Sequence, residues 1–106
     1  MKLRHYKITQ EKWNDFSKDK QILNIATELC RIYQAELHQN ISRCDIKNTH
    51  ERALELIDLT LHDQKWRRFH QLYELRDSIA TLYLGRTNPI IVKFFYTWLM
   101  NLSKGV

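Results

Sequence analysis

Three ionisable residues, Glu36, His50 and Arg76, fall on the apolar faces of three predicted helices. A buried charge is costly unless it is paired and hydrogen-bonded, so inward-facing charges need partners. Glu36 and Arg76 are the natural bidentate ion pair, with His50 nearby. A glutamate beside a histidine can perform acid–base chemistry, but the sequence supplies no nucleophile. The favoured interpretation is that each side chain snorkels at the edge of the core, or that the three form a polar core cluster that only fixes helix register. A ligand-binding or catalytic cluster is the alternative.

A basic and aromatic stretch at residues 65–76, KWRRFHQLYELR, has the composition of a nucleic-acid contact. When the stretch is projected at about 100° per residue, its aromatic side chains share one face, Arg67 points to solvent and Arg68 lies on the far flank. A base-stacking surface needs aromatic and basic side chains on the same face. The stretch is therefore predicted to be mainly one amphipathic helix. Phosphate contacts from Arg67 and Arg68 are the alternative.

Arg43 and His50 are separated by six residues in the segment RCDIKNTH. This spacing resembles the ribonuclease motif of small helical HEPN domains, which implies RNA cleavage with Arg43 and His50 as catalytic residues. The resemblance covers these two residues only. Cys44 replaces the polar residue expected after the arginine, and the segment lies early in the chain rather than on a late helix. The favoured interpretation is a loop arginine and a histidine on a helix face.

The histidines and cysteines lack the spacing of metal ligands. The five histidines form neither an i, i+4 pair nor a His-Glu-x-x-His motif, and Cys30 and Cys44 form no Cys-x-x-Cys pair. No apolar segment of the kind found in signal peptides follows Met1. These features predict no metal site, no cofactor, unreactive reduced thiols and a cytoplasmic location.

The last predicted helix is apolar around most of its circumference, and only Lys93, Thr97 and Asn101 form a narrow polar strip. Such a helix is buried in a core, in an interface or in lipid. It is shorter than the roughly 20 residues that span a bilayer, and it lacks the basic face of an interfacial membrane helix. One small bundle would leave part of it as an exposed apolar patch. We therefore expect an interface containing Phe94, Phe95, Trp98 and Leu102.

The predicted fold class is all-α, a short N-terminal helix followed by a four-helix antiparallel bundle. Two glycines and one proline are too few for the turns of a β protein. Thr9 is expected to cap a short helix at 10–16, and Asn88 with Pro89 to start the last one. The other helices are expected at about 19–39, 45–62 and 64–84, the last of these between an Asp63 N-cap and a Gly85 stop, and antiparallel to the one before it.

A length of 106 residues suits one domain, in which residues 1–8 could form a basic arm. With 43% apolar and 27% charged residues, the composition is not that of a disordered chain. The function favoured by these features is non-enzymatic: self-association, as a twofold dimer, or docking on a protein partner through the C-terminal helix. The formal charge of +5 keeps a nucleic-acid-associated accessory protein as an alternative, followed by a small helical ribonuclease.

Overall fold

The computed structural model describes residues 8–38, 43–85 and 88–104, and these ranges contain five α-helices and no strand. This confirms the all-α class, with one short N-terminal helix and four longer ones. The expected arm lies almost wholly outside the described residues. The helices and one 3-10 turn are α1 (Gln10–Asn14), α2 (Lys18–His38), α3 (Arg43–Leu61), the turn Gln64–Trp66, α4 (Gln71–Leu84) and α5 (Pro89–Lys104).

Local side chains start the first and last helices, as the sequence predicts. The Lys12 N–H donates to Thr9 Oγ1 over 3.2 Å, and the Ile90 N–H donates to Asn88 Oδ1 over 2.9 Å. These bonds satisfy backbone donors that have no partner inside the first turn of a helix. Gly85 ends α4 by donating its N–H to the Thr81 carbonyl, but its φ of −111° is not left-handed. The helix therefore stops there without the αL residue of a glycine C-cap.

Cross-helix bonds give α3 and α4 opposite directions, which confirms that they are antiparallel neighbours. Tyr83, at the end of α4, donates its hydroxyl to Glu51 near the start of α3 over 2.5 Å. Arg76 lies about two turns before Tyr83 on α4. It donates a hydrogen bond over 2.6 Å to Asp58, which lies further along α3. Later residues of one helix therefore meet earlier residues of the other.

Helix α2 is the centre of the bundle, since it packs on both α3 and α5. Arg52 of α3 bonds to Glu28 of α2 over 3.2 Å. Asp63, directly after α3, accepts a bond from Gln21 at the start of α2 over 2.9 Å, so the two helices run in opposite directions. The buried side chains form one cluster around α2: Trp13, Ile22, Ile25, Ala26, Leu29, Ile32, Ala53, Leu56, Ile57, Trp66, Leu72, Leu75, Ile79, Leu82, Val92 and Leu99.

The predicted helix at 64–84 is wrong in its first third, where a 3-10 turn precedes α4. Asp63 caps this turn by accepting the Lys65 N–H over 3.0 Å. Trp66 is drawn inward because its Nε1–H donates to Gln21 Oε1 over 2.7 Å. The helix then restarts with a new phase, so Leu75 is fully buried while Tyr73, expected on the apolar face, is 56% exposed.

Candidate interaction surface

His50 is buried between α3 and α4, with 1% of its surface exposed. Its Nδ1–H donates a hydrogen bond to the Ile46 carbonyl over 2.9 Å, and its ring centroid lies 6.2 Å from that of Tyr83. Burial lowers the pKa of His50, while the Ile46 carbonyl and the charge of Glu36 oppose that effect only in part. The neutral imidazole is therefore the favoured form, and Glu36 of α2 is close enough for its charge to be felt.

Arg76 does not pair with Glu36, which corrects the expected polar core cluster. Its Nε lies 2.6 Å from Asp58 Oδ1, and the two side chains are 39% and 42% exposed. Arg76 lies at the edge of the buried stripe of α4, next to α3, so its long side chain reaches the nearest carboxylate at the bundle surface. The pair raises the pKa of Arg76, first through the hydrogen bond and then through the charge of Asp58.

The spacing of Arg43 and His50 gives no open catalytic site in the described part of the chain. The Arg43 side chain lies outside the described residues, and His50 is buried rather than placed in a cleft. Within the described ranges, no group of three or more histidine, cysteine or carboxylate side chains could hold a metal ion. The chemistry available to His50 is therefore that of a neutral, packed imidazole.

Arg67 and Arg68 are both exposed at the turn before α4. The two aromatic side chains nearest to them in the sequence, Trp66 and Phe69, pack in or against the core, while Tyr73 of α4 is exposed. The rings of Trp66 and Phe69 lie 5.4 Å apart at 78°, and Phe69 lies 6.2 Å from Trp98 of α5. The aromatic surface next to the two arginines is used by the core. Base stacking beside a phosphate contact would need that surface to be free.

The four residues predicted to form an interface divide between the core and the surface. Phe95, Trp98 and Leu102 are partly buried and pack against the core cluster, whereas Phe94 is 65% exposed. When a helix is apolar on all sides, its sequence does not show which side is buried. Here Val92 and Leu99 are buried against α2, and this orientation turns Phe94 outward.

An exposed apolar surface lies at the end of α4 and the start of α5. It consists of Leu84, Ile90, Ile91 and Phe94, which are 84%, 79%, 40% and 65% exposed. We call these four residues the α4–α5 apolar face. Along the outer side of α5, Ile90 and Phe94 are followed at helical spacing by Thr97 and Asn101, which are exposed and polar. On α5, the α4–α5 apolar face is therefore confined to the first half of the helix.

A groove with a volume of about 270 Å³ separates α4 from α5, and Asp77, Ser78, Thr81, Leu82 and Ile91 line it. The Thr81 hydroxyl already donates to the Asp77 carbonyl over 2.8 Å, so it needs no further partner in the groove. Charged residues are few in this part of the sequence: Asp77 lines the groove, and Arg86 and Lys93 are the only charged residues between positions 78 and 103. Depletion of charge and enrichment of aromatic residues are typical of the core of a protein interface.

Sequence reasoning identified α5 and Phe94 but missed Leu84, Ile90 and the groove. A signal for Leu84 and Ile90 was present, since both flank the connection between two helices and lie outside the buried stripes. No helix in the described ranges combines the length and apolarity required to cross a membrane. Comparison of the chain with protein-family models, curated proteins and solved structures finds no match.

Proposed function

We propose that this protein self-associates as a twofold dimer through the α4–α5 apolar face. The observation that carries the proposal is the exposure of Leu84, Ile90 and Phe94, each more than half exposed, on the two helices that border an open groove. The largest apolar patch on a soluble monomer is often functional, even when it covers only a few hundred Å². A twofold interface uses the same patch on both subunits, so it covers the patch completely without forming fibres.

The charge distribution favours a second copy as the occupant. A chain with a net charge of +5 repels its own copies, and this repulsion is smallest where the contacting surfaces carry few charges. The α4–α5 apolar face meets that condition. An acidic partner would gain little here, because the surface offers few cations to pair with. A helix that binds a lipid surface typically has basic residues on its polar face. The outer side of α5 instead carries the uncharged residues Thr97 and Asn101.

The size of the face predicts a dimer of modest affinity. A buried aromatic ring contributes about 150–250 Å², so Phe94 at 65% exposure offers roughly 100–160 Å². Together with the three aliphatic side chains, the face supplies on the order of 200–400 Å² of apolar area per protomer. Polar residues at the rim can bring the total near the roughly 1,000 Å² of a specific interface. After the cost of association, we expect a Kd in the micromolar range, on the order of 1–100 μM.

The experiment is a measurement of mass in solution by light scattering and sedimentation at about 10–200 μM, concentrations that extend above the expected Kd. We expect wild-type protein to shift with concentration from 12.9 kDa toward twice that mass. Ile90→Asp and Phe94→Asp should remain monomeric, because each places a charge in the dimer interface. Both residues are exposed, so the fold should be retained.

The matched controls are Thr97→Asp and Asn101→Asp, which add the same charge on the outer side of the same helix, beyond the apolar face. They should dimerise like wild type. Trp98→Ala should instead lower the melting temperature, because Trp98 packs against the core. A wild-type mass of 12.9 kDa at the highest concentration would refute self-association.

The nucleic-acid and ribonuclease alternatives have less support from the described residues. Arg67 and Arg68 are exposed, but their aromatic neighbours are occupied in the core, and His50 is buried. Tight binding of generic RNA or DNA with a steep dependence on salt would favour the first alternative. RNA cleavage that disappears in His50→Ala would favour the second.

A further inference from the structure

We infer that Phe94 of each protomer inserts into the groove between α4 and α5 of the other protomer. The inference rests on the proposed dimer and specifies how its two surfaces fit. The projecting ring and the groove lie on the same side of the molecule, because Ile91 lines the groove and Phe94 follows it one helical turn later. A twofold axis beside them would form two identical contacts, each ring entering the opposite groove.

The Phe94 ring is held in a fixed orientation before it binds. Its centroid lies 5.4 Å from that of Phe95, at an interplanar angle of 77°. This edge-to-face geometry is favourable for two aromatic rings, and Phe95 itself packs against the core. A ring that is already oriented loses less conformational entropy on association, which improves affinity for a given contact area.

The groove has the size and the lining to accept a phenyl ring. A cavity of about 150 Å³ holds a benzene molecule, and this groove has about 270 Å³. Leu82 and Ile91 supply apolar contacts, while Asp77 lies in the exposed wall of the groove. Because the Thr81 hydroxyl is bonded within its own helix, an entering ring would not leave it without a partner.

A competing arrangement places the two Phe94 rings against each other on the twofold axis and leaves the grooves empty. A complementation experiment separates the two arrangements. Phe94→Ala removes the ring and keeps the groove. Thr81→Arg fills the groove with a long side chain at an exposed position and keeps the ring. If the ring enters the groove, each variant alone loses both contacts, while a mixture of the two regains one.

We expect each single variant to dimerise at least tenfold more weakly than wild type, and the mixed dimer to form at least tenfold more tightly than either variant with itself. Native mass spectrometry of one variant carrying a tag of different mass measures all three species at once. Thr97→Arg is the matched control, since it makes the same substitution at an exposed threonine of α5 outside the groove. It should dimerise like wild type.

The outcomes distinguish this inference from the proposed function. A monomeric wild-type protein overturns both. A wild-type dimer that Thr81→Arg leaves intact, or a mixture that forms no tighter dimer than its components, overturns the insertion of Phe94 and leaves self-association standing. Weak single variants with a restored mixed dimer support the reciprocal contact.

Discussion

Replacement of the buried Gln21 by leucine should lower the free energy of unfolding, because it removes three hydrogen bonds. Gln21 is fully buried, and its amide bonds in three directions. Its Nε2 donates to the Trp13 carbonyl over 2.7 Å and to Asp63 Oδ2 over 2.9 Å, while its Oε1 accepts the Trp66 indole N–H over 2.7 Å. One side chain thereby joins α1, α2 and the turn before α4.

The expected cost of Gln21→Leu follows from the groups that it leaves without a partner. A stranded buried donor or acceptor costs about 1–3 kcal/mol. Trp66 loses the acceptor of its indole N–H. The Trp13 carbonyl loses the amide of Gln21 but keeps the Phe16 N–H, which donates to it over 3.1 Å. Asp63 also keeps a partner: burial alone would raise the pKa of this carboxyl, but the bonds from Gln21 and Lys65 lower it, and Lys65 remains. With some gain from burying leucine, we expect a net loss of about 2 kcal/mol.

Urea unfolding followed by tryptophan fluorescence and far-UV circular dichroism measures this loss, and the melting temperature should fall by roughly 8–16 °C. The control is Asn24→Leu, on the exposed side of the same helix, whose amide bonds only to its own helix at the Lys20 carbonyl. It should change the free energy of unfolding by under about 0.5 kcal/mol. A Gln21→Leu protein as stable as this control would refute the reasoning, because buried groups would then tolerate the loss of their partners.

Two further predictions follow from ionisable side chains. Burial lowers the pKa of His50 in the folded state. As the pH drops below about 6.5, the imidazole is therefore protonated more readily in the unfolded chain, and the free energy of unfolding should fall. His50→Leu should flatten this dependence in acid titrations of stability, while the exposed His62→Leu should not, and equal slopes in both variants would contradict the assignment. Arg76→Met should cost at most about 1 kcal/mol in urea unfolding, because both side chains of its pair with Asp58 are partly exposed to solvent. A loss above about 3 kcal/mol would show that the pair behaves as a buried one.

The helices and their caps could be predicted from the sequence because their signals are local. Thr9, Asn88 and Pro89 act within one turn of their own helix, and the hydrophobic stripe of α2 repeats for several turns. The break after Asp63 could not be predicted in the same way. It depends on Trp66 bonding to Gln21, 45 residues earlier in the chain, and a projection of residues 64–84 alone contains no information about that partner.

The set of polar residues in the core was predicted only in part, for a related reason: His50 is buried as expected, but Gln21 and Glu28 were missed. Gln21 and Glu28 lie on the buried stripe of α2, at helical spacing with Ile25 and Ile32, and both are almost fully buried. That spacing was a readable signal. The direction of the Arg76 side chain could not be predicted without the register of α4 against α3. A long side chain at the edge of a buried stripe can turn inward or reach a neighbouring helix. Packing of α4 against α3 decided that Arg76 reaches Asp58.

The network that holds the bundle and the proposed interface lie at opposite ends of the molecule. Gln21 and Trp66 join the start of α2 to the turn before α4, whereas Tyr83 joins the end of α4 to the start of α3, beside the connection that carries the apolar face. Sites that are well separated and share no partners contribute additively to stability. Changes at Gln21 should therefore alter the stability of the protomer, and changes at Phe94 should alter its mass in solution. This separation explains how an exposed apolar end can persist on a well-packed protomer: the core does not need Ile90 or Phe94, and association is the role that we propose for these side chains.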